Sequence, residues 1–318
     1  MTRAIVDQDI TPTARLREGL PDNWEIEVGI ENTADAVIKK LQGAQVAFVT
    51  SRIPMGREVI ENAPDLELIA KLGTGVDSID LAAAAEHDIP VTHTPGYNAL
   101  SVAEHTLCLT LAVAHRLTAA RNLVEAGEWR DEFELATRLS GSTIGIVGFG
   151  DIGKRVGRLL DGFDVEILAA DPYVPEIDTE LVGAEMTDLD DLLARSDVVS
   201  LNTELTAETR GLIGEAELAR MADDAILINT ARGPVVEEDA LVQALREEVI
   251  GGAGLDVFAT EPLEPESPLL AFEDVVVSPH TSAMTIESRT ESIGRLTSNV
   301  VTLLSGGDVS ERFMARPE

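Results

Sequence analysis

Short apolar runs alternate with stretches of helical spacing along the whole chain, and their order predicts the architecture. From the N-terminus, AIV (4–6), WEIEV (24–28), VAFVT (46–50), LELIA (66–70) and PVTHT (90–94) read as strands. Residues 13–20, 34–41 and 81–86 lie between them with the spacing and composition of crossover helices. This predicts a small α/β layered unit over the first 100 residues, with its carboxyl strand ends facing a cleft.

Residues 98–117 (NALSVAEHTLCLTLAVAHRL) follow as one long, mostly apolar helix beginning near Ser101. A helix apolar on most faces is buried between layers or between subunits, which suits a domain connection and a homodimer contact. Gly127, Trp129 and Arg130 then mark an irregular passage into a second alternating series. Its expected strands are 143–147, 165–170, 197–202, 225–230, 252–257 and 274–280, with helices at 154–160, 188–196, 215–221 and 237–245. Such alternation with right-handed crossovers builds a doubly wound parallel sheet whose ligands lie at the carboxyl strand ends. Residues 285–304 read as a final helix long enough to return to the first unit, making the second an insertion.

The centre of the second series is chemically specific. After the strand TIGIV, Gly148, Phe149, Gly150, Asp151, Ile152 and Gly153 spell G-x-G-x-x-G and open a helix. The first glycine permits a tight turn, the second lets the backbone approach a pyrophosphate, and the third lets helix and strand pack closely. The helix N-terminus then offers unpaired N–H groups to the anion. The next strand ends at Asp171, 18 residues beyond Gly153, where a carboxylate accepts hydrogen bonds from an adenosine ribose and repels a 2′-phosphate. NAD is therefore expected over NADP. The same residues begin the phosphate loop G-x-x-x-x-G-K, but Arg155 stands where that loop needs a serine or threonine.

Composition narrows the class. The chain has 318 residues, 44% of them hydrophobic, enough for two cores, and a net charge of −33 from 57 acidic and 24 basic residues. The acids are spread along the chain, so nucleic acid is excluded as a partner, and regular apolar strands argue against disorder. Only Lys39, Lys40, Lys71 and Lys154 are lysines, and a dispersed acidic surface poor in lysine resembles the proteins of salt-in halophiles. No run reaches the ~18 apolar residues of a membrane span, and MTRAIVDQDI lacks the apolar core of a signal peptide, so a cytoplasmic location is expected. The single cysteine, Cys108, lies among Leu107, Leu109 and Leu111 and is expected to be buried.

Three polar residues stand just past strand ends downstream of the glycine turn: Arg232, Glu261 and His280. Each alone has a plain reading, as an ion-pair partner, a solvated acid and a turn histidine. Their shared placement makes them a candidate acid–base set. No metal is expected, because His87, His93, His105 and His115 lack ligand spacing, and His105 and His115 read as structural.

At this point the chain resembles the D-isomer-specific 2-hydroxyacid dehydrogenases, a family that includes phosphoglycerate dehydrogenase, glyoxylate and hydroxypyruvate reductases, and formate dehydrogenase. The resemblance runs through KLGTGVDSIDL, TPGYNALSVAEHTL, GIVGFGDIGKRV, LINTARGPVVEEDAL, GAGLDVFATEPL and SPHTSA, in that order. It implies a Rossmann domain over 101–284, inserted into a smaller flavodoxin-like substrate domain of 1–100 and 285–318. It also implies NAD-dependent hydride transfer between the nicotinamide and a small 2-keto or 2-hydroxy acid. His280 would then be the acid–base residue with Glu261 as its carboxylate partner, and Arg232 would bind the substrate carboxylate, a task suited to a planar, always charged fork. Backbone N–H groups of Thr74 and Gly75 would hold the other side of that carboxylate, with Asn98 nearby. Gly148, Gly150, Asp151, Ile152 and Gly153 would meet the pyrophosphate and Asp171 the ribose, with Thr230, Ala231, Asp256 and Ser282 around the nicotinamide end. One departure is Asn202 and Glu204, where the family more often has His and Pro.

Two other readings share this fold: an NAD(H)-sensing module of the corepressor kind, and oxidation of formate or phosphite. Arg52, Lys71 and Arg130 occupy stretches able to bind a substrate phosphate, which would suit 3-phosphoglycerate. Charge alone generates a prediction. With a net charge of −33 on 34.0 kDa, the compact state repels itself. The screening length is ~30 Å at 0.01 M salt and ~3 Å at 1 M, so stability is expected to rise steeply with KCl. Thermal melts and light scattering across a KCl series should show melting, loss of activity and dimer dissociation together at low salt. A melting temperature flat from ~0.05 to ~2 M would show the acidic surface to serve solubility alone.

Overall fold

The structure, a computed structural model, describes residues 1–180 and 182–317. Main-chain packing divides the chain into two compact units, one of Met1–Asn98 together with the segment from Met284 onward, the other of Ala99–Ala283.

The first unit begins β1 (Arg3–Val6), α1 (Thr13–Glu18), β2 (Glu25–Val28), α2 (Ala34–Leu41), β3 (Val46–Val49), α3 (Arg57–Glu61), β4 (Leu68–Lys71), α4 (Leu81–Glu86) and β5 (Val91–Thr92). Its parallel strands lie in the order β2-β1-β3-β4-β5, that of a flavodoxin-type doubly wound sheet. Strands β3 and β4 are buried at every position, which is why VAFV and LIAK read as continuous apolar runs rather than alternating ones. Asp80 caps α4 by accepting from the Ala83 N–H at 2.8 Å. Helix α3 escapes the hydrophobic pattern because five residues are too few to show a period.

The second unit opens with α5 (Ala99–Ala114), whose buried residues Ala99, Val102, Ala103, Thr106, Leu109, Thr110 and Val113 form one stripe. Cys108 falls opposite that stripe and is exposed, so the expectation of a buried thiol is corrected: its leucine neighbours are adjacent in sequence, not on its helix face. The helix expected over 98–117 is α5, ending three residues early, and a further helix follows that the pattern does not predict. Arg116 takes a left-handed backbone (φ 51°), and α6 (Leu117–Ala126) restarts beyond it. No glycine or proline signals this break; Arg116 is held there by ion pairs to Glu134 (3.0 Å) and Asp274 (3.1 Å).

Then follow β6 (Thr143–Val147), α7 (Gly153–Leu160), β7 (Glu166–Ala170), α8 (Ile177–Glu180), β8 (Glu185–Met186), α9 (Leu189–Arg195) and β9 (Val198–Leu201). The unit is completed by α10 (Glu215–Leu218), β10 (Ile226–Asn229), α11 (Glu238–Arg246), β11 (Gly252–Leu255) and β12 (Val275–Val277). Its sheet runs β12-β11-β10-β9-β6-β7-β8 with every pairing parallel, the Rossmann-like arrangement. Strand order reverses between β6 and β9, which places a topological switch point at their carboxyl ends. Helix α5 lies across β10, β11 and β12 and against α7, so its buried stripe shares a core with Ile144, Ile146, Phe149 and Ile228.

The chain then returns to the first unit. Helix α12 (Ile286–Leu304), capped by the Thr285 side chain, packs on α1, β4 and β5, burying Ile293, Leu296 and Val300 with Val6, Phe48 and Leu68. A two-residue strand β13 (Met314–Ala315) adds antiparallel to β5, an edge that its brevity hides from pattern reading. Among the described residues no helix is long and apolar enough to cross a membrane.

Candidate active site

The switch point is built by main chain approaching main chain. Gly148 has φ +88°, and a Cβ there would lie 2.8 Å from the Asn202 carbonyl carbon and the Thr203 nitrogen, the first residues past β9. A Cβ on Gly153 would stand 2.2 Å from the Gly148 carbonyl oxygen. At Gly150 a Cβ would meet nothing within 4 Å. The three glycines thus have three different reasons: a left-handed turn against β9, open space for an approaching group, and contact between helix α7 and the turn.

Asp171, at the end of β7, reaches back to this turn. Its Oδ2 accepts from the Phe149 N–H at 2.8 Å and its Oδ1 from the Tyr173 N–H at 2.9 Å. The carboxylate that would select the ribose therefore also ties down the glycine turn. Asp151 is exposed in the turn and pairs with Arg155 at 3.5 Å, and Ile152 is half-buried at the N-cap of α7. Behind the turn, Asn202 Oδ1 and Thr203 Oγ1 are buried without a hydrogen-bond partner. Two orphaned polar atoms beside an open glycine turn and a strand-end carboxylate are the features a dinucleotide needs, so these residues fit NAD.

The acid–base candidates lie on the same carboxyl edge, after β10, β11 and β12. His280 Nδ1 and Glu261 Oε2 are 2.7 Å apart, and Glu261 Oε1 accepts from the Phe258 N–H at 3.2 Å. Because a carboxylate only accepts, Nδ1 carries the hydrogen and Nε2 is the nitrogen free to exchange a proton. Arg232 is half-buried, and its Nη1 donates to the Ala231 carbonyl at 2.7 Å.

Two residues that the sequence reading passed over bring these loops into position. Asn229, 1% exposed, accepts from the Ala231 N–H and donates to the Arg232 carbonyl, both at 3.0 Å, clamping the turn that carries Arg232. Gly233 presses directly on the loop leading to Glu261: a Cβ there would lie 1.9 Å from Phe258 C and O. The Asn after an apolar strand is a legible turn signal, whereas the approach at Gly233 depends on tertiary packing.

The remaining candidates for the nicotinamide end are less open. Ala231 is buried, and Thr230, 6% exposed, shares a 2.8 Å hydrogen bond with Thr106 of α5. Asp256 is fully buried and accepts from the Thr281 and Ser282 N–H groups at 2.8 and 2.9 Å. Among the described residues no group of three His, Cys, Asp or Glu side chains could hold a metal ion.

Thr74, Gly75 and Asn98 belong to the first unit, where hydrogen bonds tie the loop that carries Thr74 to its neighbours. Thr74 Oγ1 donates to Asn98 Oδ1 at 2.9 Å, His93 Nδ1 lies 2.8 Å from the Thr74 carbonyl, and Thr94 Oγ1 accepts from the Gly73 N–H at 2.9 Å. Of the candidate phosphate cations, Arg52 is occupied. Its Nε donates to Asp7 Oδ1 at 2.8 Å and lies 3.1 Å from Asp9, and its Nη2 donates to the Ile30 carbonyl at 2.7 Å. Lys71 is 2% exposed at the end of β4, and Arg130 is exposed in the second unit.

Known proteins are similar to this chain in sequence and in fold. Residues 107–282 match the family model for the D-isomer specific 2-hydroxyacid dehydrogenase, NAD binding domain. A glyoxylate reductase of Thermofilum pendens is 44% identical over 268 residues, which cover 83% of this chain and 78% of the relative. A D-3-phosphoglycerate dehydrogenase of Archaeoglobus fulgidus is 35% identical over 89% of this chain, which spans only 54% of that longer protein. In structure, the chain is similar to the D-lactate dehydrogenase of Aquifex aeolicus complexed with NAD and lactic acid: TM-score 0.86, 31% identity, 99% of each chain covered.

Asp171 and Gly233 can be tested separately. Asp171→Ala is expected to weaken NADH binding roughly tenfold, the loss of charge-assisted hydrogen bonds, while narrowing its advantage over NADPH. Titration of both cofactors by nucleotide fluorescence checks this, and an unchanged ratio of the two affinities would contradict the ribose role. Gly233→Ala is expected to lower the melting temperature and turnover together, since backbone cannot yield as a side chain does. Undisturbed values of both would mean that the loop contact is adjustable.

Proposed function

The chain belongs to the D-isomer specific 2-hydroxyacid dehydrogenase family and is an NAD-dependent oxidoreductase, and from that premise we propose that it is a cytoplasmic enzyme reducing a small, unphosphorylated 2-keto acid such as glyoxylate to the D-2-hydroxy acid. The observation that carries the reading is the 2.7 Å hydrogen bond between His280 Nδ1 and Glu261. It fixes which nitrogen exchanges protons and leaves an imidazole, one-third exposed, at a strand end of the dinucleotide sheet.

The turn at 148–153 and Asp171 would hold NADH, which when bound would supply the hydride for the carbonyl carbon. His280 Nε2–H donates its proton to the carbonyl oxygen as negative charge develops there, and the neutral ring left behind keeps its Nδ1–H on Glu261. In the oxidising direction the same nitrogen accepts the hydroxyl proton. Arg232 pairs with the substrate carboxylate through two parallel N–H donors, orienting the carbonyl.

An unphosphorylated substrate is favoured because Arg52, one of the three candidate phosphate cations, is already engaged by the fully buried Asp7. A homodimer is supported by apolar side chains left exposed on α5, α6 and beyond: Leu100 (52%), Leu117 (56%), Val124 (62%), Trp129 (68%) and Leu135 (95%). The dispersed acids and scarce lysines support adaptation to high salt.

Comparing glyoxylate, hydroxypyruvate, pyruvate and phosphohydroxypyruvate by kcat/KM with NADH is expected to rank the phosphorylated acid last. His280→Ala and Arg232→Ala should each lower kcat/KM by at least ~100-fold while NADH still binds. Near-normal turnover in either variant would sink the assignment, and phosphohydroxypyruvate ranking first would overturn the substrate class.

A further inference from the structure

His280 has a left-handed backbone, φ 54°, which a non-glycine residue keeps only where its surroundings over-determine it. Asp256 supplies much of that constraint. Its main-chain oxygen accepts from the His280 N–H at 2.8 Å, and its carboxylate accepts from the N–H groups of the next two residues, Thr281 and Ser282. The same carboxylate takes a third donor, the Ser278 hydroxyl, at 2.6 Å. The chain of bonds does not stop there. His105 Nε2, on α5, lies 2.8 Å from Ser278 Oγ and 3.6 Å from Asp256 Oδ1.

Hydrogen counting gives this chain a direction. Ser278 has one hydroxyl hydrogen, and at 2.6 Å from a carboxylate oxygen it is spent on Asp256. Ser278 Oγ therefore accepts from His105, so His105 carries its hydrogen on Nε2. The imidazole donates to the hydroxyl, the hydroxyl to the buried carboxylate, and Asp256 holds three consecutive residues of the turn that presents the acid–base ring, Thr281 and Ser282 by its carboxylate and His280 by its main-chain oxygen. Of these groups only His105 comes from outside the β11–β12 region. It is anchored on the helix that crosses β10, β11 and β12, so it references the turn to the body of the sheet.

We propose that His105 is a positioning residue for the proposed acid–base reaction, acting through Ser278 and Asp256 to hold the His280 ring against Glu261; this rests on the reading of His280 given above. His105 touches neither His280 nor Glu261 in this chain of bonds. Its contribution is to the fraction of time that Nε2 of His280 is correctly placed, which enters kcat rather than cofactor affinity.

The test uses the full chain with NADH and the best keto acid of the panel. Three variants are compared: His105→Phe, which removes the donor; His105→Gln, whose amide N–H reaches toward the same oxygen; and Ser278→Ala, which breaks the relay with little change of volume. His105→Phe and Ser278→Ala are expected to lower kcat about tenfold, with the NADH dissociation constant within about twofold of the parent. His105→Gln should recover most of the loss. The low-field proton resonance of His280 Nδ1–H, identified by its disappearance in His280→Ala, should broaden in the two disruptive variants and sharpen again in His105→Gln. Parent-like kcat and resonance in both disruptive variants would overturn the proposal, as would a glutamine variant no better than phenylalanine. Should His105→Phe fail to fold, Ser278→Ala alone decides. If His280→Ala itself turns over normally, the acid–base reading fails and takes this proposal with it; if His280→Ala is inactive while the relay variants are normal, only the relay fails.

Discussion

Close approach of main chain to main chain at the carboxyl edge of the seven-stranded sheet is the constraint on which the site depends. Gly148 lies against Asn202 and Thr203, Gly153 against Gly148, and Gly233 against Phe258, each at a distance that leaves no room for a Cβ. The first two shape the turn after β6, and the third joins the loop of Arg232 to the loop of Glu261. Side chains could not hold these loops as closely, because a side chain has rotamers and a peptide plane in van der Waals contact has none. Once the loops are pressed together, a few polar groups finish the work: Asp171 on the glycine turn, Asn229 on the Arg232 turn, and Asp256 on the His280 turn.

Much of this was legible in the sequence because it depends on local pattern. The strand before the glycine turn, the helix at 34–41 and the helix at 81–86 have the boundaries that hydrophobic spacing predicts, and Asp171 follows directly on β7, as the spacing also predicts. What escaped was set by tertiary contact. Arg116 ends a helix without any helix-breaking residue, because its conformation is held by Glu134 and Asp274 from elsewhere in the chain. The strand β13 exists only because β5 offers it an edge. Cys108 is exposed because leucines adjacent to it in sequence do not share its helix face. His105, expected to be structural, lies in a hydrogen-bond chain with Ser278 and Asp256, a link across 173 positions of sequence that no spacing rule detects.

The molecule uses charge in two different ways. On its surface, scarce arginines are shared among several acids, as where Arg57 meets Glu61, Asp80 and Glu86, or Arg195 meets Glu185 and Asp191. Neighbouring guanidinium groups hold the carboxyls of Glu86 and Glu185 below their ordinary range, yet such exposed pairs are screened and contribute little to stability. Inside, single carboxylates do more. Asp7 and Asp256 are fully buried, and each organises a loop at a strand end through several donors. The acidic bias that dominates the composition is thus a property of the surface, while the geometry of the strand ends rests on very few acids.

The division into two units also separates two kinds of information. Thr74, Gly75 and Asn98, around the LGTG loop, are encoded in one unit; Arg232, Glu261 and His280 are encoded in the other. Each group has its own supporting bonds within its own unit. A substitution in the first hundred residues therefore removes none of the hydrogen bonds described around His280, Glu261 and Asp256, because every partner in them is encoded after residue 98.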